Sequence, residues 1–489
     1  MSRIKSNILY NLCYQILVLI VPLITAPYIS RVLGAEGLGT YSYVSSVAYY
    51  FFILVTLGLT NYGNRSIAKC RDDKEKRSKT FWSIYSMQLL MGICITLLYA
   101  VYSIFLADPA YKTYFLIYTL YIVGACLDVN WFFFGMEKFK LTTIRNAIVK
   151  VLTVVLIFGL VRGDNALISY FCIVAGSTLF SNLFLWGKVH ENVYFYKPKL
   201  KEILVHFKPN FILFLPILAM SIYRVMDKIM IKQLSGVVEN GYYENADRII
   251  TISLTAFSAV ATVMMPAISN MVANKKDESV QRMLFDMMQV VNCLSIAMVF
   301  GLMAIAEEFA PLFFGEEFAE TGVLLVGLAP TIFMSGWKNV LRSQYLIPYE
   351  KDRAYVISLV AGAAVNIIVN SLFIPQYGAR GAVIGTLMAE FVGFLIQTYV
   401  AGKDVSVKRL FTDSVIFLPS GLVMGLIVHW VLKILPYNLA SVIGVIVLGG
   451  CIYLLLSFLS LFCFDRDRYK YFVNMLNVFT KRRKGDVNN

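Results

Sequence analysis

The sequence predicts an all-α, polytopic membrane protein, and three observations carry that prediction. The composition is too apolar for water: 58% of the 489 residues are hydrophobic and only 15% are charged, with a mean hydropathy of +0.68. A soluble chain of this length would need a polar surface. The apolar residues fall in runs long enough to cross a hydrocarbon core about 30 Å thick, separated by short loops. Lys and Arg crowd into every second loop, the asymmetry that orients multi-pass chains.

Taken in order, the runs give about fourteen spans, at 9–29, 41–63, 81–106, 112–134, 142–161, 166–187, 210–234, 249–272, 287–306, 322–341, 355–374, 381–401, 411–432 and 438–463. The first is too long for a signal-peptide core and has no small-residue cleavage site, so it reads as a retained helix. No loop is large enough to hold a soluble catalytic domain. The basic loops include Arg65, Lys69, Arg71, Lys138, Arg145, Lys188, Lys275, Lys338, Lys351 and Lys403, and the tail adds Lys481 to Lys484. By contrast, the loop around Glu307, Glu308, Glu316, Glu317 and Glu320 has no cation. Positive charge marks the cytoplasmic side, so both termini are expected in the cytoplasm, as an even number of crossings requires. The basic tail is expected to sit against anionic headgroups, not nucleic acid.

The chain also looks duplicated. Gly34, Gly39 and Tyr41, after the first span, recur as Gly236, Gly241 and Tyr243 after the seventh. The expected organisation is an amino-terminal lobe of six helices (1–207) and a second six-helix lobe in the same orientation (208–402), related by a pseudo-two-fold axis along the membrane normal. Two further helices and the basic tail (403–489) follow. Transporters with a central site are built this way. The eight cysteines are scattered without metal-ligand spacing, and of the three histidines His190 and His206 share a loop while His429 is isolated in a span. Neither a metal centre nor a His-based catalytic site is expected.

The seventh span organises the functional reading, because it is long enough to cross a bilayer yet carries Arg224, Asp227, Lys228 and Lys232. At 100° per residue the three cations, at i, i+4 and i+8, share one face, and Asp227 lies beside Arg224 at i+3. A charge at mid-membrane costs about 2.5 to 3.5 kcal/mol on insertion scales, so such side chains face a bundle interior or a water-filled cavity. Arg224 lies about 21 Å from Asn210 at the start of the span. Lys232 is near enough to the far headgroups to snorkel, and Lys150, about a turn and a half inside the fifth span, can do the same.

Deep acids raise the question of coupling. Asp128 in the fourth span, Asp227 in the seventh and Glu390 in the twelfth are candidates to bind a coupling H⁺ or Na⁺, or to pair with a neighbouring cation. Asp247 and Arg248, at the outer start of the eighth span, are either a gate pair or a solvated surface pair. Asn366 and Asn370, at i and i+4 in the eleventh span, form a polar stripe that either hydrogen-bonds sugar or ties helices together.

Four blocks carry a resemblance: LITAPYISRVLGAEGLGTYS at 23–42, LGLTNYGNRSIAK at 57–69, WFFFGMEKFKLTTIRN at 131–146 and VNIIVNSLFIPQYGARGAVIGTLMAE at 365–390. Together they resemble the polysaccharide flippases of the Wzx or oligosaccharide-flippase type, within the multidrug, oligosaccharidyl-lipid and polysaccharide (MOP) exporter superfamily. The resemblance covers essentially the whole chain. It implies a V-shaped, MATE-like transporter in the bacterial cytoplasmic (inner) membrane, monomeric and without a cofactor, working beside a polysaccharide polymerase and chain-length or export proteins. The implied cargo is undecaprenyl-pyrophosphate-linked oligosaccharide, a repeat unit of O-antigen, capsule or exopolysaccharide, moved from the inner to the outer leaflet by alternating access.

Such a cargo brings about two negative charges, and its glycan cannot enter hydrocarbon, so a hydrated cationic chamber meets both needs. Arg224 is the first candidate contact because its planar fork suits phosphate. Lys228 is a softer second charge, with Lys232 behind it, and Arg31 and Arg65, inside the quoted blocks, are candidates to guide the headgroup at a gate. A polytopic glycosyltransferase would need a large extramembrane domain or a His and carboxylate centre, so a transporter is expected and not an enzyme. A multidrug or cation antiporter of the same superfamily would prefer an acidic or apolar cavity. A flippase for lipid II or a teichoic-acid precursor differs only in cargo.

Overall fold

The computed structural model describes residues 2–275 and 277–464 of the chain; the tail cations Lys481 to Lys484 lie outside the described residues. The α-helices are α1 (Ser2–Thr56), α2 (Leu59–Ala68), α3 (Lys74–Val101), α4 (Lys112–Cys126), α5 (Asn130–Gly135), α6 (Phe139–Leu160), α7 (Ala166–Val189), α8 (Leu200–Leu204), α9 (Phe207–Leu234), α10 (Val237–Ala273), α11 (Asp277–Phe314), α12 (Ala319–Leu328), α13 (Pro330–Leu341), α14 (Asp352–Tyr377), α15 (Ala379–Ala401), α16 (Val407–Ile434) and α17 (Leu439–Phe464). No strand occurs among the described residues. Helices satisfy their backbone groups internally, which hydrocarbon demands. Large apolar side chains such as Phe105, Leu426 and Trp430 are accordingly left on the outside, at 76%, 64% and 64% exposed.

Among the described residues, eleven segments are long and apolar enough to cross a membrane, or up to twelve if the bent pair Glu316–Leu328 and Pro330–Leu346 forms one span. The difference from the fourteen expected spans has local causes. Leu17–Ala68 counts once although its 52 residues take in most of the first two expected spans. α10, which covers the eighth, is not among the eleven. The chain is punctuated inside α1 by Gly34, whose φ of 65° and ψ of −179° leave the helical region. A side chain there would be strained, so the glycine is what lets two helical stretches meet at a kink.

The chain divides into two compact units. One comprises Met1–Asn245 and Ala363–Gly385, the other Ala246–Gly362 and Thr386–Asn489. In the first, Tyr43, Tyr99, Phe115 and Phe171 anchor one apolar core, and Phe81, Trp131, Phe132 and Phe133 anchor a second. In the other, Ile296, Phe417, Met424 and Val445 hold α11, α16 and α17 together.

The two copies of the glycine motif meet inside the first unit. A Cβ on Gly39 would stand 1.8 Å from the Val237 carbonyl oxygen, and one on Gly241 would stand 2.1 Å from that of Ala35. The contact is reciprocal: each glycine faces the backbone just before the other. Any larger residue at either position would push α1 and α10 apart. The same spacing along the chain relates Ser42 to Glu244, hydrogen-bonded at 2.8 Å with the two residues 202 apart.

Candidate functional site

α9 packs against α1 and α2 in the first unit, and Arg224, Asp227, Lys228 and Lys232, four of its five charged residues, divide into different environments. Asp227 is buried at 2% exposed. It accepts from the Tyr243 hydroxyl at 2.8 Å and from Asn370 Nδ2 at 2.6 Å, and Asn370 Nδ2 also donates to Asn366 Oδ1 at 3.2 Å. The two asparagines of the eleventh expected span therefore converge on the acid of the seventh. The Asn366 Nδ2 and Asn370 Oδ1 atoms are buried with no hydrogen-bond partner. Gly385 makes room for this cluster, since a Cβ there would lie 1.9 Å from Asn370 Oδ1.

The cations of α9 do not act as one block. Lys228 is bound to Glu244 of α10 at 2.8 Å, with the two side chains 16% and 12% exposed, and Ser42 donates to the same carboxylate oxygen. Lys232 lies 3.6 Å from Asp108 and over the rings of Tyr43 and Tyr111, at 4.6 and 4.5 Å from their centroids. Arg224 is exposed and makes no ion pair or hydrogen bond among the described residues. Its expected i+3 neighbour Asp227 turns instead toward Tyr243 and Asn370. Arg224 stands about 15 Å from the Leu234 end of α9, so its charge is carried deep in a lipid-embedded helix.

The remaining candidates are dispersed. Asp128 lies between α4 and α5, not inside the fourth helix, and its Oδ1 accepts from the Asn130 backbone and side chain at 2.8 and 2.6 Å. Glu390, 6% exposed, is bonded to Lys338 at 2.7 Å and accepts from Ser335 at 2.7 Å. Arg65 is exposed in the last turn of α2 and makes no ion pair or hydrogen bond among the described residues. Arg31 is exposed on α1 just before the Gly34 kink, and Asp247 and Arg248 are half-buried on α10.

Sequence reasoning placed two cations wrongly. Arg145 and Lys338 were expected in basic loops, yet Arg145 lies inside α6 at 3% exposed and Lys338 inside α13 with a side chain 14% exposed. Arg145 donates to the Ser181 carbonyl and hydroxyl oxygens at 2.8 and 2.9 Å and to Asn130 Oδ1. α6 begins at Phe139, slightly before its expected span, whereas Lys338 lies in the last turn of α13; in both cases partners on other segments satisfy the buried polar group. Glu244 was missed as well. Its one signal is its place within the repeated motif block, opposite Ser42.

Chemically, the first unit offers one deep guanidinium open to a ligand, an adjacent neutralised Lys–Glu pair, and a buried carboxylate–amide cluster with spare oxygen. The first can hold an anion in bidentate fashion. The last offers hard oxygen donors of the kind small cations prefer.

Known proteins resemble this arrangement over most of its length. The family described as polysaccharide biosynthesis protein matches residues 4–272. A protein of Shigella dysenteriae named as an O-antigen transporter is 23% identical over 391 residues, covering 79% of this chain and 97% of that protein. A protein of the same name in Escherichia coli K12 is 22% identical over 404 residues, covering 79% and 94%. Among solved structures, the lipid II flippase MurJ in an inward closed conformation superposes with a TM-score of 0.75 at 16% identity, covering 94% of this chain and 99% of MurJ. An inward-facing multidrug resistance MATE transporter of the MOP superfamily gives 0.60 at 18% identity, covering 83% and 96%. At such identities the structures speak for the fold, and the family match speaks for descent. The chain belongs to the polysaccharide biosynthesis protein family.

Proposed function

We propose that this protein is a flippase for lipid-linked oligosaccharide, moving an undecaprenyl-pyrophosphate-linked repeat unit of O-antigen, capsule or exopolysaccharide from the inner to the outer leaflet of a bacterial cytoplasmic membrane. The observation that carries this reading is Arg224, an exposed cation deep in α9 with no ion pair or hydrogen bond among the described residues. A pyrophosphate can accept from its fork, while a cationic drug would be repelled. The names of the relatives point the same way: O-antigen transporters and a low-salt glycan biosynthesis flippase of Haloferax volcanii, 27% identical over 171 residues. Lys228, Lys232, Arg31 and Arg65 stand as further cations along the route of the headgroup. Alternating access moves two six-helix lobes, 1–207 and 208–402, with 403–489 appended and both termini in the cytoplasm. The partners are the lipid-linked glycan, membrane lipids, a polymerase and chain-length or export proteins, and the transporter acts as a monomer.

The coupling ion is H⁺ or Na⁺, and Asp227 is its preferred carrier. Its cluster gathers one carboxylate and two side-chain amides, with Asn370 Oδ1 unpartnered. Glu390 is engaged by Lys338 and Asp128 by Asn130, which suits both to structural pairing. Asp247 and Arg248 are the candidate gate residues on α10.

The decisive experiment is a deletion strain analysed for lipid-linked oligosaccharide. Accumulation of an unflipped, polyprenyl-linked repeat unit, relieved by the wild-type gene, is the expected result. Normal surface glycan together with sensitivity to cationic drugs would point to the antiporter instead. Accumulation of lipid II or a teichoic-acid precursor would change only the cargo.

A further inference from the structure

Lys150 adds a residue to the flippase reading, on which this inference rests. One side of α6 faces outward: Ile144, Ile148, Val151 and Val155 are 39%, 60%, 50% and 61% exposed. At 100° per residue Lys150 projects from the opposite side, together with Thr143, Asn146, Thr153 and Ile157. Lys150 is half-buried there and Ile157 fully buried. This polar side turns toward the neighbours of α6, which are α1, α5 and α7. α6 starts at Phe139 and ends at Leu160, so Lys150 sits near its middle, about 15 Å from either end. It was expected close enough to the end to snorkel; a four-carbon stem does not reach a headgroup from this depth.

No carboxylate of a packed helix compensates it. Lys150 makes no hydrogen bond or ion pair among the described residues. α5 and α7 contain no Asp or Glu, and the single acid of α1, Glu36, lies beyond the Gly34 kink. The other charged residues of α1, α6 and α7 are Arg3, Lys5, Arg31, Lys140, Arg145 and Lys188, all positive. Asp128 faces Asn130 on the Arg145 side, about 140° around the helix from Lys150. A mid-membrane cation without a counter-ion is costly, and an apolar residue would pack α6 better. Its presence there fits a counter-charge that arrives with the cargo.

We infer that Lys150 is a second contact for the anionic headgroup, its ammonium donating to a phosphate oxygen of the lipid-linked pyrophosphate, independently of α9. The test uses the full-length protein in nanodiscs, with farnesyl pyrophosphate as the probe and farnesol as its uncharged control. Lys150→Met should weaken farnesyl pyrophosphate binding about tenfold or more, the loss of one charge-assisted bond. Lys150→Arg should stay within about threefold of wild type, farnesol binding should not change, and the Met variant should melt no lower than wild type. Should Lys150→Met fail to accumulate, Lys150→Gln serves in its place. Arg224→Ala run in parallel separates the two claims. If Arg224→Ala weakens binding and Lys150→Met does not, the role of Lys150 is overturned and the flippase reading stands. If wild type itself shows no preference for the pyrophosphate over farnesol, the flippase reading falls and the role of Lys150 with it.

Discussion

The deep cations of two helices, α13 and α9, have surroundings that differ in kind. On α13, Lys338 is fixed: Glu390 lies 2.7 Å away, Ser335 donates to the same carboxylate oxygen, and a Cβ on Gly393 would stand 3.3 Å from the ammonium. On α9, Arg224 is exposed and meets no counter-ion among the described residues. Depth alone says only that a charge is costly to hold. A counter-ion in fixed geometry turns it into a strut between helices, and removing one half then leaves the other charge stranded. A cation without one is stable only in water or beside a ligand, so the unpaired member of such a comparison is where function is sought.

The comparison breaks most visibly in transport. Arg224→Glu, and Arg224→Ala nearly as strongly, should abolish surface glycan while protein abundance in the membrane stays near wild type; wild-type glycan in the Glu variant would remove Arg224 from the site. Lys338→Ala should do the reverse, costing about 3 to 5 kcal/mol of stability through the stranded Glu390. Its abundance and melting temperature should fall together, and the double change Lys338→Met with Glu390→Leu should recover both. A Lys338→Ala protein that melts like wild type but exports nothing would place Lys338 with Arg224.

Lys228 stands between the two. Its pairing with Glu244 is part-buried, but Ser42 still donates to that carboxylate, so Lys228→Ala should lower abundance moderately and export more than abundance. Gly385→Ala sharpens the coupling assignment, because the added Cβ strikes Asn370 Oδ1. Transport should then change its dependence on Na⁺ or pH, as it should in Asp227→Asn, and an unchanged dependence in both would remove this cluster from the mechanism.

The smallest effect is expected outside the spans. There the Lys351 ammonium and the Tyr345 hydroxyl hold the Asp404 carboxyl below the usual carboxylate range. Stability from this contact is complete above the unfolded carboxyl value and is lost as pH falls through the lower folded one. Asp404 is largely exposed, with its side chain 55% accessible. Asp404→Asn should therefore remove only a slight acid-sensitive part of thermal stability, seen as a marginally flatter melting profile on acidification.

Much of the fold was legible because it is written in averages. Hydropathy over bilayer-length windows is a strong signal that needs no knowledge of packing. The repeated Gly34–Gly39–Tyr41 pattern pointed to a real junction, since Gly39 and Gly241 are where two backbones touch. Averages fail at helix ends. Arg145 and Lys338 were assigned positions near water that their burial does not support, and Lys150 lies near the middle of α6. The pairings were illegible for another reason. Lys228 finds Glu244, Asp227 finds Asn370 143 residues later, and Lys338 finds Glu390, and which of several acids a cation meets depends on how helices cross.

The amino-acid sequence by itself determined that this chain is a helical bundle in a bilayer and that the stretch from Arg224 to Lys232 of α9 carries four charges, because the cost of placing polar groups in hydrocarbon acts residue by residue. Only the tertiary structure decided which of those charges are spent on other helices and which stand open, because neutralisation is a contact between distant segments and falls off within a few ångströms.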